Sequence, residues 1–249
     1  MVVVDLHVTE PNKGAIMTYT VMGRCPKTNQ LGIAIATNSL GVGGYCLYFD
    51  PKVGAVSTQA YANPRLGPIA LGLLREGNNP EKVNEKLASY DSYFPYRQVG
   101  IVSANGSMDV HTGPKARQWA GHFLGNDSLA MGNVLDSENV ATAMIRTFEE
   151  NGDLELSERL MQSLEAGRNA GGQGDLADRS AALVVYDRET YPLMDLRVDY
   201  SQHAISDLRG VFTEYRPYIP LYYGLRVNDP PNSPPQGVWI QRLKDKDLI

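Results

Sequence analysis

The stretch TYTVMGRCPKTNQLGIAIAT, residues 18–37, decides the fold class of this 249-residue chain, because it predicts two strands and a tight connection. The apolar runs TYTVMG and LGIAIATNS are separated by the polar turn CPKTNQ, which contains Pro26 and Asn29. Two short runs joined by such a turn are typical of a β-hairpin. The second run is apolar at almost every position, as in a strand that is buried on both faces.

Further along the chain, blocks of strands alternate with pairs of helices. Strands are predicted in VGAVSTQAYAN, in the two arms of RQVGIVSANGSMDVHTG, in SLAMGNVL, in SAALVVYD and in PLMDLRVDY. The Asn-Gly of the second hairpin, Asn105-Gly106, is the strongest short signal for such a turn. Helices are predicted in PRLGPIALGLLREG, NPEKVNEKLASY, DSENVATAMIRTFEENG, LSERLMQSLEAGRNAGG and AISDLRGVFTEY.

This order predicts an α+β fold of two stacked antiparallel sheets flanked by helices. Strands in blocks and helices in pairs exclude a regular βαβ alternation, and outer helices would bury the apolar face of each sheet. We assign residues 18–215 to this domain. Residues 216–249 carry six of the 15 prolines, so we expect no continued helix there. We expect this C-terminal arm to pack on the domain or on a second subunit.

Composition and charge narrow the class of function. Apolar residues make up 43% of the chain and charged residues 20%, as in an ordinary soluble globular protein. The net charge of -5 gives no electrostatic reason to expect nucleic acid or an anionic membrane as a partner. Residues 1–17, MVVVDLHVTEPNKGAIM, lack the features of a signal peptide, and with only Cys25 and Cys46 present no disulfide framework is expected. We therefore expect a cytoplasmic protein.

The histidines give no sign of a metal site or of a Ser-His-Asp triad. Their positions, His7, His111, His122 and His203, show neither HxH nor HExxH spacing. We expect no cofactor and no metal. His122 is the exception, because it lies in WAGH between two glycines, and so small a loop would bring the backbone close to a ligand.

Three polar stretches are candidates for a binding site. STQAYANP places Ser57, Thr58, Gln59 and Asn63 at the end of a predicted strand, which would hold them rigidly, although Asn63 is equally suited to cap the next helix. DLADRS contains Asp178 and Arg179, which form either an exposed ion pair of little energetic value or a clamp on substrate. NAGGQGD is better explained as a helix stop and loop than as a phosphate site.

Several long pieces of the chain together resemble one known family. They are TYTVMGRCPKTNQLGIAIAT, VGAVSTQAYANPRLGP, RQVGIVSANGSMDVHTG, WAGH, MGNVL, LEAGRNAGG, RSAALVV and DLRVD, in order from residue 18 to about 209. They are similar to domain-of-unknown-function family 1028 (DUF1028), which is assigned to the N-terminal-nucleophile (Ntn) hydrolase fold. This resemblance implies a four-layer αββα sandwich, in agreement with the layering argued above.

The resemblance also gives the Met17-Thr18 junction a chemical meaning. In Ntn hydrolases the first residue of the mature chain attacks the substrate carbonyl, and its own α-amino group is the base. With a pKa of about 7.7–8.0, that amine accepts a proton near neutral pH without help from a histidine. Thr18 occupies the position at which chains of the family commonly begin. Three possibilities remain open: translation starts at Met17, residues 1–17 are cleaved from the chain, or this protein does not use an N-terminal nucleophile.

The implied reading is a hydrolase of small amide-like C–N bonds with Thr18 as nucleophile. Gln59 and Asn63 are predicted to hold the oxyanion, because VGAVSTQ is expected to pair beside GIAIATNS. The predicted substrate-binding residues are Thr37, Asn38, Thr58, His122, Asp178 and Arg179. Asn38 stands where family members often carry lysine or arginine.

Two other classes of function remain open. One is a non-catalytic binding or assembly protein on the same fold, in which Thr18 is an ordinary strand threonine. The other is a hydrolase that uses Cys25 or Cys46, which ranks last because neither has a context that lowers a thiol pKa. The expected partners are a small-molecule substrate and a second copy of the chain, because the arm is rich in aromatic residues: Tyr218, Tyr222, Tyr223 and Trp239.

Overall fold

The computed structural model describes residues 17–249. In it, two antiparallel sheets pack face to face, and helices cover their outer sides. The fold is therefore the predicted α+β sandwich with four layers. One sheet is covered by the helices Leu66–Arg75 and Pro80–Tyr90, and the other by the helices Asn139–Glu150, Leu156–Asn169 and Ala204–Tyr215.

The first sheet has six strands in the order β10-β9-β2-β1-β8-β7, so the predicted first hairpin lies at its centre. Its strands are β1 (Thr18–Arg24), β2 (Leu31–Thr37), β7 (Ala120–Leu124), β8 (Ser128–Asn133), β9 (Ser180–Tyr186) and β10 (Met194–Val198). The second sheet has the order β3-β4-β5-β6. Its strands are β3 (Leu47–Asp50), β4 (Gly54–Ala60), β5 (Arg97–Ser103) and β6 (Met108–Thr112).

The first five helices match those predicted, whereas the last two lie in the C-terminal arm and were not predicted. The helices are α1 (Leu66–Arg75), α2 (Pro80–Tyr90), α3 (Asn139–Glu150), α4 (Leu156–Asn169), α5 (Ala204–Tyr215), α6 (Arg226–Asn228) and α7 (Gln236–Lys244). At the start of α2, Asn79 Oδ1 accepts a hydrogen bond of 2.9 Å from the Lys82 amide, and Pro80 occupies the first turn, as the sequence predicts.

Alternation along β1 directs successive side chains to opposite faces of the sheet. On β1, Tyr19 and Val21 pack against the helices, while Met22 packs into the space between the sheets. Because successive strand residues point to opposite faces, Thr18 and Thr20 share the inner face with Met22. The inner layer is thus apolar at one end of β1 and polar at the other.

Two strands and the C-terminal arm differ from the sequence-based expectation. Strands β3 and β7 were not predicted, and the segment around His122 is an edge strand and not a small loop. The expectation that the arm cannot be helical is wrong. Short helical segments of changing type follow α5 as far as α6. Pro217 and Pro220 each lie in the first turn of a new segment, where a proline costs no hydrogen bond.

The arm contacts its own chain. Leu221 is fully buried, Ile219 packs against the helical core layer, and the Trp239 indole donates a hydrogen bond of 3.1 Å to the Pro217 carbonyl. The prediction of an N-terminal extension or propeptide falls, apart from Met17, outside the described residues.

Candidate active site

Thr18 stands at the start of β1, between two neighbouring strands. It pairs with Thr37 of β2 and with Asn133 of β8. Only 4% of the Thr18 surface is exposed, and its Oγ1 lies 3.1 Å from Thr37 Oγ1. The sheet therefore fixes both the backbone and the hydroxyl of Thr18.

The hydrogen bonds of Thr37 determine which way the Thr18 hydroxyl points. The Thr37 hydroxyl donates to the Met17 carbonyl, and its oxygen accepts from the Ser39 amide at 3.2 Å. A hydroxyl has a single proton to donate. The Thr18 hydroxyl must therefore be the donor to Thr37, and the oxygen of Thr18 keeps lone pairs free. The Met17 carbonyl accepts a second bond of 3.4 Å from the Asn38 amide.

Behind Thr18 lies a buried polar layer centred on two glutamines from the second sheet. Thr20 Oγ1 donates to Gln59 Oε1 at 2.5 Å, and Gln59 Nε2 donates to Gln98 Oε1 at 2.7 Å. Gln59 Nε2 and Asn133 Nδ2 each approach the Thr18 carbonyl at 3.5 Å. Since all four side chains are at most 1% exposed, these contacts are shielded from water and hold the two sheets in register.

Gln98 is the most connected member of this layer. Its Nε2 faces three acceptors: Thr112 Oγ1 at 2.9 Å and the carbonyls of Gly121 and Gly132 at 3.0 Å each. Its Oε1 accepts from Gln59 and, at 3.3 Å, from Asn133. Gln98 thus bridges strands of both sheets directly beneath Thr18.

A cavity of about 320 Å³, which we name the Thr18 cavity, lies at the start of β1. Its lining consists of Thr18, Tyr45, Cys46, Gln59, Ala60, Tyr61, Ala62 and Arg97. Burial raises the pKa of the Cys46 thiol to about 12, so this thiol stays protonated at neutral pH and is a poor nucleophile. The hydroxyl of Thr18 is the better nucleophile candidate in this lining.

Gln59 reaches Thr18 from the facing sheet and not from the same one. Strand β4 pairs with β3 and β5, so the expectation that it lies beside β2 is wrong. Gln59 nevertheless faces Thr18, because it shares the inner face of β4 with Ala55. Thr58 points the opposite way by alternation, on the same side as Val56, and its Oγ1 is buried without a hydrogen-bond partner among the described residues.

Asn63 lies at a different cavity. Its Nδ2 donates to Asp91 Oδ2 at 2.7 Å, and its Oδ1 accepts from the Arg65 amide at 3.2 Å, just before α1. It lines a space of about 390 Å³ that shares Ala62 and Arg97 with the Thr18 cavity. These contacts are those of a residue that organises the start of a helix.

Asn38 and Arg179 tie the loop before β9 to the end of β2. Asn38 Nδ2 donates to the Ala177 carbonyl at 2.7 Å, and the Arg179 amide donates to the Thr37 carbonyl at 2.8 Å. The Arg179 guanidinium lies over the Tyr200 ring at 5.4 Å. Both residues therefore support the backbone around Thr37.

Asp178 belongs to a third and larger cavity of about 610 Å³ beside α4 and α5. Its carboxylate accepts from Gln173 and lies 3.3 Å from the Arg168 guanidinium. The Tyr19 hydroxyl approaches it without a hydrogen bond of good geometry. Burial raises the pKa of Asp178, although Arg168, Tyr19 and Gln173 oppose the shift.

His122 connects to the polar layer through a single hydroxyl. On edge strand β7, its Nδ1 lies 2.8 Å from Thr112 Oγ1, which also accepts from Gln98. Burial lowers the pKa of His122; Asp109 opposes this shift and His111 adds to it. His122 is therefore neutral at pH 7 and acts on the site only through Thr112.

The structure thus brings together Thr18, Thr37 and Gln59, supports them with Asn38 and Arg179, and separates them from Asn63, Thr58 and Asp178. Sequence reasoning missed Thr20, Gln98, Asn133 and Arg97. A signal for the first three existed, because each is polar at a position where strand alternation predicts an inward-facing side chain. Chemically, the cluster offers one oriented hydroxyl, neutral amide donors and a cation in the cavity wall.

A known protein family matches this chain from Thr18 onward. A family profile described as a family of unknown function, DUF1028, matches residues 18–208. The chain belongs to the DUF1028 family. The resemblance drawn from the sequence is thereby confirmed at the level of the family, and the matched range starts at Thr18 itself.

Two solved structures are similar to this DUF1028 chain. One is the crystal structure of protein SPO2555 from Silicibacter pomeroyi, also described with the DUF1028 family, with a TM-score of 0.75 and 30% identity over 80% of this chain and 86% of that one. The other is Anbu, an ancestral β-subunit, from Yersinia bercovieri, with a TM-score of 0.37 and 13% identity over 79% and 93% of the two chains. No curated protein matches the chain.

Two further observations concern the described part of the chain. None of the helices within residues 17–249 has the length and apolar character that a bilayer crossing requires. Across the same residues, no three side chains of histidine, cysteine, aspartate or glutamate converge as metal ligands would.

Proposed function

We propose that this DUF1028 protein is an N-terminal-nucleophile hydrolase that cleaves a small amide-like C–N bond with Thr18. The observation that carries the proposal is the Thr18 hydroxyl, which lies 3.1 Å from Thr37 Oγ1 and belongs to a residue that lines the 320 Å³ cavity. The start of the family match at Thr18 supports the same residue.

The proposal requires that residues 1–17 are absent from the active form. In the full chain the Thr18 nitrogen is part of a peptide bond, and its lone pair is delocalised into the carbonyl group and cannot act as a base. Once Met17 is removed, the Thr37 hydroxyl and the Asn38 amide lose the carbonyl to which they donate. These two donors would then be free to hold the oxygen of a substrate carbonyl beside the new α-amino group.

The proposed reaction uses Thr18 as nucleophile and base. The α-amine takes the hydroxyl proton while Oγ1 bonds to the carbonyl carbon, and the resulting oxyanion is held by preorganised donors. Collapse of this intermediate breaks the C–N bond, the ammonium returns its proton to the leaving nitrogen, and water then hydrolyses the ester on Thr18. The layer of Gln59, Gln98 and Asn133 keeps the strand start rigid throughout.

A non-catalytic binding protein on the same fold is the alternative. The observation in its favour is the low exposure of Thr18, 4%, in the chain that includes Met17. A protein that retains residues 1–17 in cells would hold a closed, unreactive hydroxyl.

The deciding experiment compares a protein that starts at Thr18 with the full chain. Intact mass establishes the N-terminus of each preparation, and the release of ammonia or amine is measured on a panel of linear amides, cyclic amides and ureas. We expect turnover from the Thr18 form, strongly reduced or absent turnover from the full chain, residual turnover with Thr18→Ser and none with Thr18→Ala.

Thr37→Val is the companion variant, because it keeps the shape of Thr37 and removes the acceptor of the Thr18 hydroxyl. We expect a lower kcat with little change in KM. Equal turnover by the full chain, the Thr18 form and Thr18→Ala would remove Thr18 from the mechanism, whereas no turnover by any of the three would favour the binding protein.

A further inference from the structure

The wall of the Thr18 cavity contains one charged side chain, Arg97, among the described residues that line it. Its partner Asp91 holds it from behind, with Arg97 Nε 2.9 Å from Asp91 Oδ2, and its Nη1 donates to the Tyr61 carbonyl. The Asp91 carboxylate is itself fixed by Asn63 and by the Tyr93 amide. Although burial opposes it, these bonds lower the pKa of Asp91, so the pair stays ionised at neutral pH.

This arrangement leaves Arg97 rigid and able to donate further. A guanidinium has five N–H donors, and the contacts with Asp91 and Tyr61 engage Nε and Nη1. Arg97 also lines the neighbouring 390 Å³ cavity, so it stands where the two spaces meet. A preorganised arginine of this kind is suited to bind a planar anion, because little conformational freedom is lost on binding.

The surroundings of Arg97 are cationic and aromatic. The Arg117 guanidinium lies 5.3 Å from the centre of the Tyr61 ring, and the Lys115 ammonium lies 5.0 Å from that of Tyr96, whose ring packs edge-on against Tyr61. Because Asp91 already balances the charge of Arg97, the local excess of positive charge comes from Arg117 and Lys115, and it attracts anions.

We propose that the ligand of the Thr18 cavity carries a carboxylate that binds Arg97, so that the substrate class is a small amide with a free carboxyl group. The volume of 320 Å³ suits a small molecule, and the N–H donors that Asp91 and Tyr61 leave free on Arg97 match the oxygens of one carboxylate. That this ligand is cleaved rests on the proposed function, because cleavage requires the amide to lie at Thr18 while the carboxylate lies at Arg97. The binding of the carboxylate itself requires no cleavage.

The test measures binding to the full chain by isothermal titration calorimetry with two probes that differ only in charge, N-acetylglycine and N-acetylglycinamide. A hydrogen-bonded ion pair should favour the acid by about tenfold or more. We expect Arg97→Gln to reduce this preference to less than about twofold, and Arg97→Lys to retain part of it because the charge remains. Arg75→Gln is the matched control: it breaks an arginine–aspartate pair with Asp50 that lines neither cavity, and it should keep the full preference.

Circular dichroism and the melting temperature establish that each variant is folded, and Arg97→Lys keeps the test decisive if Arg97→Gln unfolds. Equal affinity of the two probes, no binding of either, or a preference that survives in folded Arg97→Gln would overturn the inference. A charge preference that depends on Arg97, in a protein whose Thr18 form shows no turnover, would overturn the hydrolase proposal alone.

Discussion

Replacement of Gln98 by leucine tests whether the polar layer beneath Thr18 holds the two sheets together. The substitution keeps a similar volume and removes four hydrogen bonds: two that Oε1 accepts, from Gln59 and Asn133, and two that the N–H groups of Nε2 donate to acceptors among Thr112, Gly121 and Gly132. At a net value of roughly 1 kcal/mol for each bond, the loss amounts to about 4 kcal/mol. The buried partners that lose a hydrogen bond add to this cost, so we expect a loss of at least about 4 kcal/mol in the free energy of unfolding.

The assay is urea unfolding followed by far-UV circular dichroism, with thermal melting on the same preparations. For a chain of this length about 4 kcal/mol corresponds to a fall in melting temperature of roughly 8–16 °C. Gln241→Leu is the matched control, because Gln241 is exposed and makes one side-chain bond, to Asp245. We expect this control to change the free energy of unfolding by less than about 0.5 kcal/mol. A loss below about 1 kcal/mol for Gln98→Leu would refute the structural role that we assign to the layer.

Two further predictions concern the helices and the third cavity. In α1, Gly67→Ala should lower the free energy of unfolding by about 1–3 kcal/mol, because the new Cβ would lie 2.1 Å from the Tyr48 ring. Gly72→Ala should raise it by up to about 1 kcal/mol, because a Cβ at this position meets nothing within 4 Å. Urea unfolding measures both changes, and equal effects of the two substitutions would contradict the prediction. Because the pKa of Asp178 is raised, the folded state holds this proton more tightly than the unfolded state does. We compare the free energy of unfolding of the wild type with that of Asp178→Asn. The wild-type value minus the variant value should fall as the pH rises from about 4, and it should level off above the folded-state pKa. A difference that is independent of pH between 3 and 7 would show that the folded-state pKa of Asp178 is unshifted.

The sequence predicts most of the secondary structure, because the signals for hairpins and helices are local. The hairpin of β1 and β2, the Asn105-Gly106 turn and the cap of α2 at Asn79 are each specified by residues within a few positions of one another. Strands β3 and β7 escaped prediction because they are short and carry glycine or half-buried polar residues. They are strands because of the neighbours with which they pair.

The site is less predictable than the fold because its contacts join distant parts of the chain. Thr20 meets Gln59 39 positions away, and Asn133 meets the Thr18 carbonyl 115 positions away. Such pairs depend on how the two sheets stack, which local patterns do not encode. The resemblance to DUF1028 directed attention to Thr18, whereas the role of Gln98 follows only from the stacking.

The central position of β1 has a consequence for the end of the chain. Polypeptide termini are ordinarily the least ordered part of a domain, and they fray unless neighbouring structure ties them down. Residue 18 is tied on both sides, since the strands carrying Thr37 and Asn133 flank it. A new N-terminus at Thr18 would be held in position by the two flanking strands and would be as ordered as an interior strand residue. Different leader segments can therefore be attached before this strand, or lost, without displacing the hydroxyl that follows them.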